Sequence, residues 1–208
     1  MSERFNDLKK IPDAPASRIL AMAQIKLGTE LSSPANASVQ QVLEELEAAD
    51  APVDILLLLA FALPARESVW WACLAARDLT GPGKKAATPS LKAAEAWVFS
   101  PTPENRENAR VAMETAFNDD DTSLCAVAAF YAEGNMGEGD MAEIEAPPAA
   151  LGAAVFGMNM EAMGAAEDFV AHMEVVTDRA LDIARGGNGT ADAPATEDAD
   201  APADKGAH

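Results

Sequence analysis

Residues 52–80 read PVDILLLLAFALPARESVWWACLAARDLT, and this stretch decides the fold class. After Asp54 its first half is apolar on every side, which is typical of a helix buried in a protein core. Pro64 ends the run, and a proline fits the first turn of a new helix because its missing N–H is not needed there. The stretch therefore predicts two consecutive helices, 52–63 and 64–80, and we expect the first at the centre of the fold.

Prolines and capping residues divide the rest of the chain in the same way. Thr88 and Thr102 each precede a proline and can cap a helix, and Ser38 with Gln41 has the spacing of a capping box. Further helices are predicted at 14–27, 38–49, 89–99, 103–117 and 121–133, with the last capped by Asp121 or Thr122, and a helical segment at 149–185 that breaks near Gly157 or Gly164. Because no repeat of roughly 30 to 45 residues is visible, we predict an all-α protein, a compact bundle of about seven to nine helices.

The composition changes after the last predicted helix. Residues 187–208, GNGTADAPATEDADAPADKGAH, contain no aromatic and no large aliphatic residue. Such a segment cannot bury enough apolar surface to become ordered. We therefore predict a single helical domain at 1–186 and a disordered acidic tail at 187–208.

The chain is strongly acidic, with 34 aspartates and glutamates against 15 lysines and arginines and a net charge of −19. Binding to nucleic acid or to anionic membrane surfaces needs clustered cations, so we expect neither partner. The N-terminus lacks the apolar core of a signal peptide, and no run of about 20 apolar residues occurs. These features predict a cytoplasmic protein, although the charge also fits adaptation to a salt-rich host.

Trp70 and Trp71 are adjacent, and neighbouring residues of a helix point about 100° apart. Trp70 borders an apolar arc and lies one turn from Arg66, which favours a cation–π contact. Trp71 lies nearly opposite that arc, so we expect the helix to be contacted on more than one side. Two interpretations stay open: both tryptophans are packing residues, or one of them anchors an interface.

Residues 66–110 carry a net positive charge, with seven basic and five acidic residues, and they contain all three tryptophans. An acidic protein partner, or the chain's own tail, would be steered to such a region. The candidate interaction surface consists of Arg66, Trp70, Trp71, Arg77, Trp97, Arg106 and Arg110. The alternative is that these cations only neutralise acidic neighbours within the fold.

No catalytic set can be assembled from the sequence. His172 is the one interior imidazole, which is too few for a zinc site or a Ser-His-Asp triad, and the carboxylates of 118–123 and 133–145 lack calcium-loop spacing. We therefore predict no cofactor or metal and a non-enzymatic adaptor or accessory protein. The alternative is a small enzyme that uses acidic residues such as Glu138 or Asp140, or a weak calcium-binding regulator.

Two further features suggest packing roles. Cys73 and Cys125 lie in apolar helical contexts and are interpreted as small buried residues without a disulfide. Residues 151–164, LGAAVFGMNMEAMG, are rich in glycine, alanine and methionine. Small residues let helices approach closely, which favours an internal helix–helix seam, with an adaptable partner groove as the alternative.

Three motifs resemble a family of uncharacterised bacterial helical proteins that is associated with type VI secretion accessory gene clusters. They are LPARESVWWACLAAR at 63–77, AAEAWVFSPTPENRENARVAM at 93–113 and ALDIARGG at 180–187. The likeness extends over about residues 50–187. It implies a small helical accessory protein, for which a secretion system is one possible setting, and assigns no catalytic residue.

Overall fold

A computed structural model describes residues 3–81, 87–116, 120–137 and 139–190 of the chain. Within these ranges lie nine α-helices and no strand: α1 Ala16–Ala23, α2 Val39–Ala48, α3 Pro52–Ala62, α4 Ala65–Thr80, α5 Pro89–Phe99, α6 Pro103–Thr115, α7 Ser123–Tyr131, α8 Ala150–Ala165 and α9 Phe169–Arg185. Short 3₁₀ helices occur at Glu3–Phe5 and Gly139–Glu143. The predicted all-α bundle is therefore confirmed.

The predicted caps form at the starts of α2, α5 and α6. Ser38 Oγ accepts a hydrogen bond from Gln41 N–H at 3.2 Å, and Gln41 Oε1 accepts one from Ser38 N–H at 2.9 Å, which completes the capping box. Thr88 and Thr102 each accept a backbone N–H from three residues further on, at 3.1 Å and 3.2 Å. Each cap satisfies a donor that the first helical turn leaves free.

The core is shared by α3 and α4. As expected, α3 is buried along most of its length, and its one charged residue, Asp54, accepts hydrogen bonds from Gly28 N–H at 3.0 Å and Thr29 N–H at 2.7 Å. Burial raises the pKa of Asp54, but hydrogen bonds from the Thr29 side chain and from the backbone of Gly28 and Thr29 outweigh it and hold the pKa below its usual value. α4 lies equally deep, since residues 71–76 are all buried and α5, α7, α8 and α9 all pack against it.

Two helices are shorter than predicted. α1 ends at Ala23 because Gln24 adopts a left-handed backbone with φ 58°. α7 begins at Ser123, and Thr122 does not cap it through its side chain. The Thr122 hydroxyl instead donates to Asp120 Oδ1 at 2.8 Å, so the polar group that was expected to cap α7 is engaged outside the helix.

The segment 149–185 is divided close to Gly164, one of the two predicted positions. Gly157 and Gly164 both lie inside α8, and the helix ends at Ala165. Asp168 then starts α9, since its Oδ1 accepts hydrogen bonds from the backbone N–H groups of Val170 and Ala171, each at 3.0 Å. An aspartate cap, rather than a glycine, therefore determines where the segment is divided.

The chain remains packed beyond α9. Gly189 is buried, with φ 72°, and its N–H donates to Asp182 Oδ2 at 2.8 Å. A Cβ at this position would lie 2.6 Å from Leu74 Cδ1, so only a glycine fits here without a shift. Residues 187–190 thus belong to the folded domain, whereas residues 191–208 of the predicted tail lie outside the described residues. No described helix combines the length and the apolar character needed to cross a membrane.

Candidate protein interaction site

Trp71 and Trp97, two of the seven residues predicted to form the interaction surface, lie in the core. Trp71 is completely buried, and its Nε1 donates a hydrogen bond of 2.9 Å to Val176 O on α9. Contact of α4 on more than one side is therefore confirmed, because α9 covers the side on which Trp71 lies. Trp97 is only 4% exposed. Neither ring is accessible to a partner in this conformation.

Arg106 is a packing residue as well, with only 3% of its surface exposed. Its Nε donates to Phe130 O at 2.8 Å and its Nη2 donates to Asn135 O at 2.6 Å. The guanidinium carbon also lies 5.0 Å from the centre of the Phe130 ring, within cation–π range. Arg106 therefore fastens α6 to the C-terminal end of α7.

Arg77 and Arg110 are partly exposed, but both are neutralised by glutamates within the fold. Arg77 forms an ion pair with Glu95. Arg110 contacts Glu107 at 2.7 Å and Glu114 at 2.5 Å on its own helix, and the hydrogen bonds to Glu107 and then Glu114 raise the pKa of Arg110. The contacts of Arg77 and Arg110 fit the interpretation that these cations neutralise acidic neighbours within the fold.

Arg66 and Trp70 remain accessible, and they lie beside Phe99, which sequence reasoning missed. The Phe99 side chain is 71% exposed, and its ring centroid lies 6.0 Å from that of Trp70, with the ring planes at 61°. Arg66 donates through Nε to Val98 O at 2.7 Å, so the expected cation–π contact with Trp70 is replaced by an edge-on contact between two aromatic rings. We call Arg66, Trp70 and Phe99 together the Trp70 patch.

The Trp70 patch combines an exposed aromatic surface with an unneutralised cation. Arg66 is exposed, and no carboxylate among the described residues forms an ion pair with it. A guanidinium can bind a carboxylate through two parallel hydrogen bonds, and aromatic and arginine side chains are enriched where interfaces are most tightly bound. The patch is therefore chemically suited to an acidic side chain flanked by an apolar one.

The edge of the Trp70 patch is formed by the segment after α9. Trp70 Nε1 donates a hydrogen bond of 2.7 Å to Asn188 O, which holds this segment against α4. Neither Phe99 nor Asn188 was predicted to contribute, because Phe99 is an ordinary apolar helix end and Asn188 falls in a segment without apolar residues. Nothing in the local sequence indicated that Phe99 and Asn188 would both lie beside Trp70.

The carboxylates of the loop at 133–145 do not converge. Asp140, Glu143 and Glu145 are exposed, Glu133 lies 3.4 Å from Arg106 Nη1, and Glu138 falls outside the described residues. Over the described part of the chain no group of three or more His, Cys, Asp or Glu side chains is placed to hold a metal ion. Residues 118 and 119 of the other candidate loop also lie outside the described residues.

His172 and the two cysteines have structural partners. His172 Nε2 lies 3.0 Å from Asp78 Oδ2, and Arg179 contacts the same carboxylate at 2.5 Å and 3.1 Å, so Asp78 joins α4 to α9. Cys73 and Cys125 are both buried free thiols, as interpreted from the sequence. Burial raises the pKa of the Cys125 thiol well above its usual value, which keeps it protonated and unreactive.

A buried polar cluster connects the N-terminal ends of α5 and α7. Ser90 Oγ donates to Asp120 Oδ2 at 2.7 Å, and the Thr122 backbone N–H donates to Asp120 Oδ1 at 3.0 Å. Burial raises the pKa of Asp120, but the hydrogen bonds from Ser90 and Thr122 outweigh it and lower the pKa overall. Through these bonds Asp120 links the first turn of α5 to the residue before α7.

The chain belongs to a family of unknown function, DUF6931, whose model matches residues 42–184. No curated protein and no solved structure matches the chain significantly. The matched range covers α2 to nearly the end of α9, and it therefore includes the residues of the Trp70 patch. Membership of an uncharacterised family is thus confirmed.

Proposed function

We propose that the protein is a non-enzymatic adaptor or accessory protein that binds an acidic protein partner at the Trp70 patch. The observation that carries the proposal is Phe99, a phenylalanine 71% exposed and placed against Trp70 beside an exposed arginine. Exposed aromatic clusters of this kind are costly to leave in water and often mark interaction sites. The Arg66 guanidinium would select a carboxylate on the partner.

The resemblance to proteins associated with type VI secretion gene clusters supports a place for this adaptor beside a secretion system. We further propose that it acts in the cytoplasm, which is compatible with described helices that cannot cross a membrane. In such a setting the net charge of −19 keeps the protein from binding other acidic surfaces without specificity. The Trp70 patch, where cationic and aromatic groups coincide, would then provide the specific contact for the partner.

A photo-crosslinking experiment tests the proposed site in the host cell. A benzophenone amino acid replaces Phe99 in one chain and Val170 in another, because Val170 is 64% exposed and lies at the opposite end of α9 from Asn188. We expect one protein to be crosslinked at position 99, and not at position 170, with loss of the product when Arg66→Glu is added.

Two results would overturn the proposal. Equal crosslinking at positions 99 and 170 would show that exposure alone produces the adduct. An internal crosslink from position 99 to residues 191–208 would show that the chain's own acidic C-terminus occupies the patch instead of a partner.

A further inference from the structure

A second surface, on another part of the bundle, consists of two adjoining clefts of about 540 Å³ and about 460 Å³. Both clefts are bordered by Tyr131 and Pro147, so they form one continuous depression, which we call the Tyr131 groove. One end lies against α1, where Met22 is 69% exposed, and the other end lies between α7 and α8. The groove shares none of its lining residues with the Trp70 patch.

The floor of the Tyr131 groove is a row of apolar side chains on α7. Leu124, Val127 and Tyr131 are spaced three and four residues apart, so they lie on one face of the helix. All three are only partly buried, and the facing residue on α8 is the exposed Ala153. Because the Ala153 side chain is small, a space remains above the row of α7 side chains that neither α7 nor α8 fills.

The shape of the groove depends on a glycine of α8. A Cβ on Gly152 would lie 2.4 Å from ring atoms of Phe61, so the absence of a side chain lets Phe61 pack directly on the α8 backbone. The later part of the same glycine- and methionine-rich segment packs inward, with Met158 and Met163 completely buried. The segment 151–164 therefore forms an internal seam over most of its length, while its first turn borders a groove.

The surroundings of the groove are acidic on the α7–α8 side, where the neighbouring Arg106 of α6 is buried and donates hydrogen bonds to Phe130 O and Asn135 O. Residues 120–165, which provide α7, the following loop and α8, contain eight aspartates and glutamates and no lysine or arginine. Glu145 borders the groove itself. The exposed Asp121 is three residues from Leu124, and the exposed Glu161 is four residues from Gly157. Leu124 and Gly157 lie next to each other where α7 packs on α8. The α1 side differs, since the exposed Arg18 precedes Ile19 there.

We propose that the Tyr131 groove binds an amphipathic helix of a partner protein, with apolar residues against Leu124, Val127 and Tyr131 and lysines or arginines toward Glu145 and the α7–α8 side. An amphipathic helix in an apolar groove is a recurring mode of recognition. The acidic surroundings on the α7–α8 side select a basic partner by charge complementarity. The Tyr131 groove is separate from the Trp70 patch. It recognises basic side chains, whereas the patch recognises acidic ones.

Two other occupants fit the groove less well. A second copy of the chain would bring the same acidic residues and a second net charge of −19 to the interface. The chain's own residues 191–208 contain five acidic residues and a single lysine, and they have no large apolar side chain to fill the clefts. A basic amphipathic helix provides both of the properties that these occupants lack.

The test uses a fluorescently labelled helical peptide with leucines on one face and lysines on the other, titrated with the full chain and followed by anisotropy. A peptide of the same composition in scrambled order controls for attraction by charge alone. We expect the ordered peptide to bind about tenfold more tightly than the scrambled one, because only an ordered apolar face can enter the groove. Ala153→Arg places a long cationic side chain in the groove and should weaken binding by about tenfold or more.

Phe99→Arg is the matched control, since it adds the same side chain at a position 71% exposed in the Trp70 patch and should leave the peptide's affinity within about twofold of the unaltered chain. Glu145→Lys, an exposed change that does not disturb the core, should weaken binding as well and gives an answer if Ala153→Arg fails to fold. Equal binding of both peptides would overturn the proposal. The proposal would also be overturned if the peptide's affinity were unchanged both in Glu145→Lys and in a folded Ala153→Arg.

Discussion

The indole Nε1 of Trp70 lies 2.7 Å from the backbone carbonyl of Asn188, 118 positions further along the chain. This hydrogen bond closes the domain, because it joins α4 to the segment that follows the last helix. The same segment buries Gly189 between Leu74 and Ile183. A change at residues 187–190 therefore alters both the stability of the domain and the edge of the Trp70 patch.

Two truncations separate the folded segment from the residues beyond it. A chain that ends at residue 190 should melt at nearly the same temperature as the full chain, because the deleted residues include no large apolar side chain. A chain that ends at residue 186 loses the hydrogen bonds Trp70–Asn188 and Gly189–Asp182, and it should be destabilised by about 1–3 kcal/mol. Thermal unfolding followed by circular dichroism measures both. Equal melting of the two truncated chains would show that residues 187–190 do not contribute.

Arg106 provides a test of whether an arginine of the predicted surface packs in the core or is available to bind a partner. Arg106→Glu places a carboxylate against the carbonyls of Phe130 and Asn135 in a site that is 3% exposed, and it should lower the free energy of unfolding by about 3–5 kcal/mol. Arg110→Glu makes the same charge change on the outer side of α6, where it should have a far smaller effect. Urea denaturation of the two variants measures the difference. Similar losses in both would mean that Arg106 does not form the buried link between α6 and α7.

Glu45 predicts a specific dependence on acid. Hydrogen bonds from the Ser32 hydroxyl, then the Ser33 hydroxyl and their backbone N–H groups, lower the pKa of Glu45 from 4.5 to about 2. Because the folded pKa is the lower one, this stabilisation is fully present above about pH 4.5 and is lost as the pH falls toward 2. Glu45→Gln should therefore remove part of the loss of stability between these values. Melting temperatures of both chains at several pH values test this, and parallel curves would contradict it.

The buried thiols predict a difference in reactivity. Cys73 and Cys125 are both enclosed by the core, and the raised pKa of Cys125 keeps its thiol protonated. A thiol-specific disulfide reagent should modify neither residue in the folded protein within minutes and both of them in denaturant, because the reacting species is the accessible thiolate. Absorbance of the released product counts the thiols directly. Rapid modification of the native chain would show that this part of the core opens readily.

Most of the fold could be predicted because its signals are local. The apolar run before Pro64, the Thr88 and Thr102 caps and the Ser38–Gln41 box each act within one turn of helix, so their consequences follow from neighbouring residues. The break between α8 and α9 was predicted near Gly157 or Gly164, and α8 ends at Ala165. The role of Asp168 was not predicted, although its carboxylate accepts two backbone hydrogen bonds and so starts the next helix.

The interaction site was harder to predict, since burial depends on which helices meet. Trp71 lies opposite the apolar arc of α4, but α9 covers it, and a contact with Val176, 105 positions away, cannot be inferred from local spacing. Arg106 has the sequence context of a surface residue, yet two backbone carbonyls and an aromatic ring enclose it. Only Arg66 and Trp70 of the seven candidates retain an accessible surface without a neutralising carboxylate among the described residues.

The account's central claim is that an acidic partner binds at the Trp70 patch, and the affinity of the crosslinked partner for four purified chains tests it most directly. These are the unaltered protein, Arg66→Glu, Phe99→Ser and Arg110→Glu, each checked for unchanged melting. We predict that Arg66→Glu and Phe99→Ser each weaken binding by about tenfold or more, as expected for residues at the centre of an interface. Arg110→Glu, in which the same charge is reversed at an arginine already paired with Glu107 and Glu114, should bind nearly as well as the unaltered chain. An equal loss in Arg110→Glu, or full affinity in Arg66→Glu, would contradict the claim.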